Sequence, residues 1–207
     1  MEKATNILTV FSEWVMNLFL LHIYWLGGTL IGGIVFGIVP SSIALFSTIR
    51  KLFRDSNTLN VFDHFKTAYK SNFKNSFVIG FLYLVISLFI YSYYLFLTAT
   101  TATLFAYTHI FIYAFSFLLI IFSFYLIPVY IHFEMDMRAL IPNTFRILFI
   151  NMKWNVPMLL TVIAIVLVYT KFSVSLLFFG VSLPAFAISY FCRKAFQDFQ
   201  EKQKDLN

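Results

Sequence analysis

Residues 15–39 read VMNLFLLHIYWLGGTLIGGIVFGIV. The run holds no Asp, Glu, Lys or Arg, and His22 is its one titratable group. A helix needs about 20 mostly apolar residues to cross roughly 30 Å of hydrocarbon, so this stretch is predicted to span a bilayer. Four further apolar runs follow, at 77–97, 104–131, 154–170 and 172–191. Each is predicted to be helical, because backbone facing lipid must satisfy its own hydrogen bonds. The fourth run is short. Only Lys171 separates it from the fifth, so a tight hairpin must join them where both cross.

Composition supports this reading. Of 207 residues, 60% are hydrophobic, 21% aromatic and 12% charged. A soluble domain is about a quarter charged, and a mean hydropathy of +0.83 points the same way. A soluble enzyme, a disordered chain and a secreted disulfide scaffold are excluded. Cys192 is the only cysteine, so there is no internal disulfide and no thiolate metal cluster. The first residues lack a basic n-region and no small-residue cleavage site follows, so the first run is expected to be retained. The expected architecture is all-α: a single polytopic transmembrane domain over residues 1–207, with about five spans.

The net charge of +6 reads as an orientation signal, and no nucleic-acid partner is expected. Arg50, Lys51, Arg54, Lys66, Lys70 and Lys74 separate the first two runs. Arg138, Arg146 and Lys153 separate the third and fourth, and Arg193, Lys194, Lys202 and Lys204 follow the fifth. Only Lys3 and Lys171 fall elsewhere. Cytoplasmic loops carry the excess of Lys and Arg. Five passes then place the N-terminus outside, the C-terminus inside, and the loops 40–76 and 132–153 inside.

The first run also carries a packing signal. Gly28/Gly32 and Gly33/Gly37 are small-xxx-small pairs, which let helices approach closely where lipid supplies no hydrophobic drive. Packing within the chain and a homodimer or partner-subunit seam both fit. Pro40 is expected to kink the helix near the inner surface, with the helix continuing towards Arg54 and a turn at 55–57.

Within the first inner loop, residues 60–76 show helical periodicity. Phe62, Phe65, Tyr69 and Phe73 form an aromatic stripe, and Lys66, Lys70 and Lys74 form a row beside it. Asn60 is placed to cap this helix, with Asp63 in its first turn. The stripe is read either as resting at the lipid headgroup boundary or as a docking surface for another protein. In the second inner loop, Pro142-Asn143 is expected to break a shorter helix.

Chemistry-bearing motifs are missing. There is no GxxxxGK[ST], HExxH or GxSxG. The histidines His22, His64, His109 and His132 are scattered. His132, Glu134 and Asp136 alternate in a pattern that does not share one helix face. Span centres carry no Asp, Glu, Lys or Arg, the groups that proton-coupled carriers usually keep. No catalytic residue, metal site or cofactor is expected.

The chain resembles the YesL family of small bacterial integral membrane proteins of uncharacterised function. The resemblance rests on Gly37-Ile38-Val39-Pro40-Ser41-Ser42-Ile43-Ala44-Leu45 and on Phe65-Lys66-Thr67-Ala68-Tyr69-Lys70-Ser71-Asn72-Phe73-Lys74. It extends to length and hydrophobic layout. The family often accompanies carbohydrate-uptake systems of the ABC type in Gram-positive bacteria. The resemblance therefore implies a non-enzymatic protein of the bacterial plasma membrane, an accessory or regulatory subunit meeting the permease or ATPase subunits of an importer. Neither inner loop carries the EAA-type signature of a standard permease. The other reading is a stand-alone small transporter or pore, as a homo-oligomer.

Overall fold

The computed structural model describes residues 2–55, 59–99, 106–133 and 137–204. They form eight helices: α1 (Glu2–Ile31), α2 (Val35–Leu52), α3 (Val61–Ala99), α4 (Ala106–Phe133), α5 (Met137–Ile150), α6 (Met152–Lys171), α7 (Ser173–Phe179) and α8 (Ser182–Lys204). No strand occurs among the described residues.

The run 15–39 does not form one helix. α1 stops at Ile31, and Gly33 adopts a φ of 74°. Ile34 N–H donates to Thr29 O at 2.8 Å, and Gly33 N–H donates to Leu30 O at 3.0 Å. This pairing is a Schellman C-cap with glycine at the left-handed position, and it satisfies carbonyls that the helix end leaves open. The chain then reverses. Trp25 Nε1–H donates to Ser42 Oγ at 3.1 Å, and the Trp14 and Phe53 rings lie 5.3 Å apart. α1 and α2 are thus an antiparallel hairpin. Pro40 sits inside α2, so the break comes from the glycine cap and not from the proline.

α3 follows α2 antiparallel. Thr48 Oγ1 and His64 Nδ1 are 3.2 Å apart, Phe36 meets Phe77 at 5.8 Å, and a Cβ on Gly80 would touch Val39 Cγ2 at 3.3 Å. Asn60 caps the start as expected: its Oδ1 accepts from Asp63 N–H at 3.3 Å, and its Nδ2 donates to Asp63 Oδ2 at 2.7 Å. The amphipathic segment 60–76 is not a separate interfacial helix. It continues without a break into the apolar run, so the 39 residues of α3 rise about 58 Å, nearly twice the hydrocarbon thickness.

α4 returns along the apolar half of α3. Tyr83 donates to Ser123 O at 2.5 Å, and Phe89 meets Phe115 at 5.3 Å. α5 runs through Pro142 as a continuous helix, so the expected break at Pro142-Asn143 is absent. Pro142 is the sixth residue of α5, and the helix continues past the one backbone bond that proline cannot make. α6 leads to α7, and α7 meets α8 at a 67° bend, so the run 172–191 is broken at Gly180-Val181. α8 packs on α6 through Trp154 Nε1–H to Asp198 Oδ2 at 2.7 Å, and the turn before α8 meets α1 through Val181 N–H to His22 Nδ1 at 3.4 Å.

Among the described residues four helices are long and apolar enough to cross a membrane, at 8–31, 61–96, 113–133 and 152–171; the number is five only when the bent pair α7–α8 is counted as one broken span. Their outward faces are apolar: Phe81, Leu88, Ile163 and Leu167 are all exposed. Two cores hold the bundle. One joins α4, α5 and α8 around Tyr125, Leu126, Leu140 and Ile147. The other joins the α1–α2 hairpin to α3 around Leu21, Leu45, Ile49 and Phe65. The outside placement of the N-terminus rested on counting 15–39 as one pass, and the hairpin removes that basis.

Candidate functional site

The candidate packing glycines divide. Gly28 faces the second arm of the hairpin and α3: a Cβ there would lie 2.6 Å from Ser41 Oγ and 3.3 Å from the Tyr69 ring. Gly32 and Gly37 lie against each other across the hairpin, and Gly37 also lies against the Thr29 backbone. Gly33 meets nothing; its role is conformational. Gly33 and Gly37 are therefore not a pair on one helix face. The close-packed seam is between α1 and α2 of the same chain.

The aromatic stripe is also used internally. Phe65 is buried and meets Tyr24 of α1 at 6.0 Å. Tyr69 donates from its hydroxyl to Gly28 O at 3.0 Å. Phe73 meets Tyr69 at 5.7 Å and Phe77 at 5.7 Å. Phe62 remains half exposed, its ring 5.3 Å from Tyr24. Phe65 and Tyr69 are the contact of α3 with the hairpin, which corrects both readings from sequence for those two residues, whereas the rings that Phe73 meets belong to α3 itself. Lys66, Lys70 and Lys74 stay exposed, with Lys66 Nζ 5.9 Å from the Phe62 ring centroid.

Polar side chains, buried at Tyr125, Tyr130 and Asn155, tie helices together. Tyr125 donates to Asn155 Oδ1 at 2.8 Å, and Asn155 Nδ2 donates to Leu148 O at 3.2 Å. Asn75 Nδ2 donates to the Tyr130 hydroxyl at 3.0 Å, which donates to Asn72 Oδ1 at 2.9 Å. Among the described residues no three His, Cys, Asp or Glu side chains converge to hold a metal. Glu134 and Asp136 lie outside the described residues. The His132 ring packs on Phe133 and Phe196 at 4.7 and 4.5 Å.

The feature that sequence reading missed is a cavity of about 230 Å³ between α2, α4 and α8. Its floor is apolar, with Phe46, Pro128, Ile131, Cys192 and Phe196; its rim carries Arg50, Arg54 and Arg193. Arg50 donates to Ile131 O, a carbonyl in the last described turn of α4. Arg193 sets its guanidinium 5.6 Å from the Phe53 ring centroid. The signal was the spacing of Phe46, Arg50, Phe53 and Arg54, which one helical face repeats; the charges were read as topology alone.

These relations frame the comparisons with known proteins. The family "Protein of unknown function, DUF624" matches residues 18–94, which takes in the hairpin turn, α2 and most of α3. The chain is 24% identical over 206 residues to the uncharacterized protein YesL of Bacillus subtilis (strain 168), covering 98% of this chain and 96% of that one. The similarity to YesL thus extends over nearly the whole length of the chain. It is also 29% identical over 140 residues to the uncharacterized protein YesV, covering 68% and 67% of the two chains. To the uncharacterized protein YteU it is 35% identical over 80 residues, covering 39% and 36%. Both are from the same organism. No solved structure matches. The apolar helices fit a multi-pass membrane protein, the relatives are uncharacterised, and nothing among the described residues or the relatives points to catalysis.

Proposed function

We propose that this protein is a non-enzymatic, multi-pass subunit of the bacterial plasma membrane that acts by contact with a partner. The observation that carries this reading is the use of its buried polar groups. Tyr125 with Asn155 and Tyr130 with Asn72 join one helix to another, and His22 joins α1 to the turn before α8, which builds a stable scaffold rather than a reaction centre. The partner is a carbohydrate importer of the ABC type, and the protein is its accessory or regulatory subunit. The support for that partner is the resemblance to YesL and the company this family keeps.

With Phe65 and Tyr69 used internally, the contact surface lies on the exposed cations, with Lys66, Lys70 and Lys74 on α3 and Arg138 and Arg146 on α5. Purification of the tagged chain from its own membranes in mild detergent tests the reading. Co-purification of a permease or ATPase is the expected result. A chain that purifies alone and conducts solute in liposomes would replace this reading with that of a small oligomeric transporter.

A further inference from the structure

We propose that the arginine-rimmed cavity between α2, α4 and α8 is a binding site for one anionic phospholipid, its headgroup phosphate at Arg54 and Arg193 and its acyl chain in the adjoining groove between α1 and α8. The inference does not depend on an importer partner.

Three independent observations converge. The first is the rim. Arg54 and Arg193 are exposed at the same cavity whose floor residues Cys192 and Phe196 are buried. Arg54 makes no side-chain hydrogen bond or ion pair among the described residues. Asp55 lies beside it in an adjoining polar recess with Lys51 and His64, but no ion pair joins the two. Planar guanidinium groups bind phosphate oxygens in pairs, and basic pockets between membrane helices suit lipid headgroups.

The second is Ser189. The residue lines the cavity, and its hydroxyl is buried without a hydrogen-bond partner. Ser42, Thr48, Thr144 and Thr161 each turn back to the carbonyl four residues earlier. Ser189, like Thr29, Ser41 and Ser116, does not, and of these four Ser189 is the one at this cavity.

The third is continuity with an apolar groove. A second cavity of about 1050 Å³ runs between α1 and α8, lined by Val10, Trp14, Leu18, Leu183 and Phe186 among others. Phe53 lines both spaces. An acyl chain fits that lining, and a free phosphate ion would leave it unused. The rim lies at the C-terminal ends of α2 and α4, beside Arg50, Lys51 and Arg54, and clusters of basic residues at helix ends mark the side where anionic lipids of the cytoplasmic leaflet lie.

The test is native mass spectrometry and thermal melting of the full chain. Phosphatidylglycerol, phosphatidylcholine and inorganic phosphate are each added to protein stripped in neutral detergent. The expected result is retention of one phosphatidylglycerol with a raised melting temperature, and no comparable effect from the other two. Arg54→Gln with Arg193→Gln should weaken retention about tenfold or more, as loss of charge-assisted bonds does. Leu183→Trp, which fills the groove and leaves the rim intact, should weaken it as well. Equal retention of phosphatidylcholine, an equal response to inorganic phosphate, or indifference to both sets of substitutions would overturn the proposal. Arg54 is exposed, so its substitution leaves the fold in place for the comparison.

Discussion

Trp14 of α1 and Phe53, just beyond α2, pack with ring centroids 5.3 Å apart, and each also meets Phe186 of α8, at 5.2 and 5.3 Å. A single span through 15–39 would hold the first two at opposite faces of the membrane. The contact therefore implies a cross-linking result. In a Cys192→Ser background, Trp14→Cys with Phe53→Cys should be joined by a short bifunctional thiol reagent in native membranes, and peptide mapping would show the link. Failure of this pair to react, with each single cysteine still labelled, would mean that α1 and α2 do not fold back on each other.

The glycines should differ in a definite order. A side chain at Gly37 enters the Thr29 backbone, which cannot swing aside as a flexible side chain can. Gly37→Val should therefore be the most damaging, at roughly 3 kcal/mol or more, the upper range for overpacking. Gly33→Ala meets no neighbour but keeps a φ of 74°, which costs an L-residue about 1–2 kcal/mol. Gly27 has open space, and Gly27→Ala should be neutral or slightly stabilising, since alanine loses less entropy in a helix. Melting temperatures in one detergent give the ranking directly.

Aromatic substitutions on α3 should act through folding. Phe65 is 5% exposed and Phe62 is 49% exposed. Phe65→Ala should cost about 3–5 kcal/mol by leaving a cavity, whereas Phe62→Ala should cost far less. Tyr69→Phe removes only the bond to Gly28 O and should cost about 1 kcal/mol. The yield of monodisperse protein after size-exclusion chromatography measures this. A Phe65→Ala chain that stays monodisperse at full yield would restore a surface role for the stripe.

Asp198 holds α8 to α6 by accepting from Trp154 Nε1–H at 2.7 Å and pairing with Lys153 Nζ at 2.6 Å. The lysine side chain is 63% exposed and the aspartate 22%, so the two partners are unequal. An exposed ion pair contributes about 0.2–1 kcal/mol; a half-buried bond to a charged acceptor contributes about 1.5–3 kcal/mol. Asp198→Ala should therefore destabilise more than Lys153→Ala, and high salt should mimic the lysine variant but not the aspartate one. Chemical denaturation at two salt concentrations separates them.

Part of the site was legible before any coordinates. The Asn60 and Asp63 cap followed from residue types at a fixed spacing, and both bonds form. The stripe of Phe62, Phe65, Tyr69 and Phe73 was legible as a helix face, but its counterpart was not, because periodicity states which residues share a face and not what covers it. The arginine rim stayed hidden for a related reason. Arg54 and Arg193 stand far apart in sequence, and charge counting alone assigns each to a loop.

The sequence by itself determined the solvent and the class of element. So many apolar residues with so few charges require lipid, and lipid requires helices, because each backbone N–H and C=O must be paired within its own segment. Those are averages over many residues, and no single contact alters them. Which apolar runs break was decided by tertiary structure. Residues 15–39 carry enough hydropathy for one span, yet Gly33 accepts the left-handed conformation, and Gly32 and Gly37 let the two arms touch. Hydropathy measures transfer into lipid and says nothing about a turn that hides its polar backbone against a neighbouring helix. The Tyr69 bond to Gly28 O and the Trp25 bond to Ser42 Oγ supply that cover, and they exist only once α1, α2 and α3 have come together.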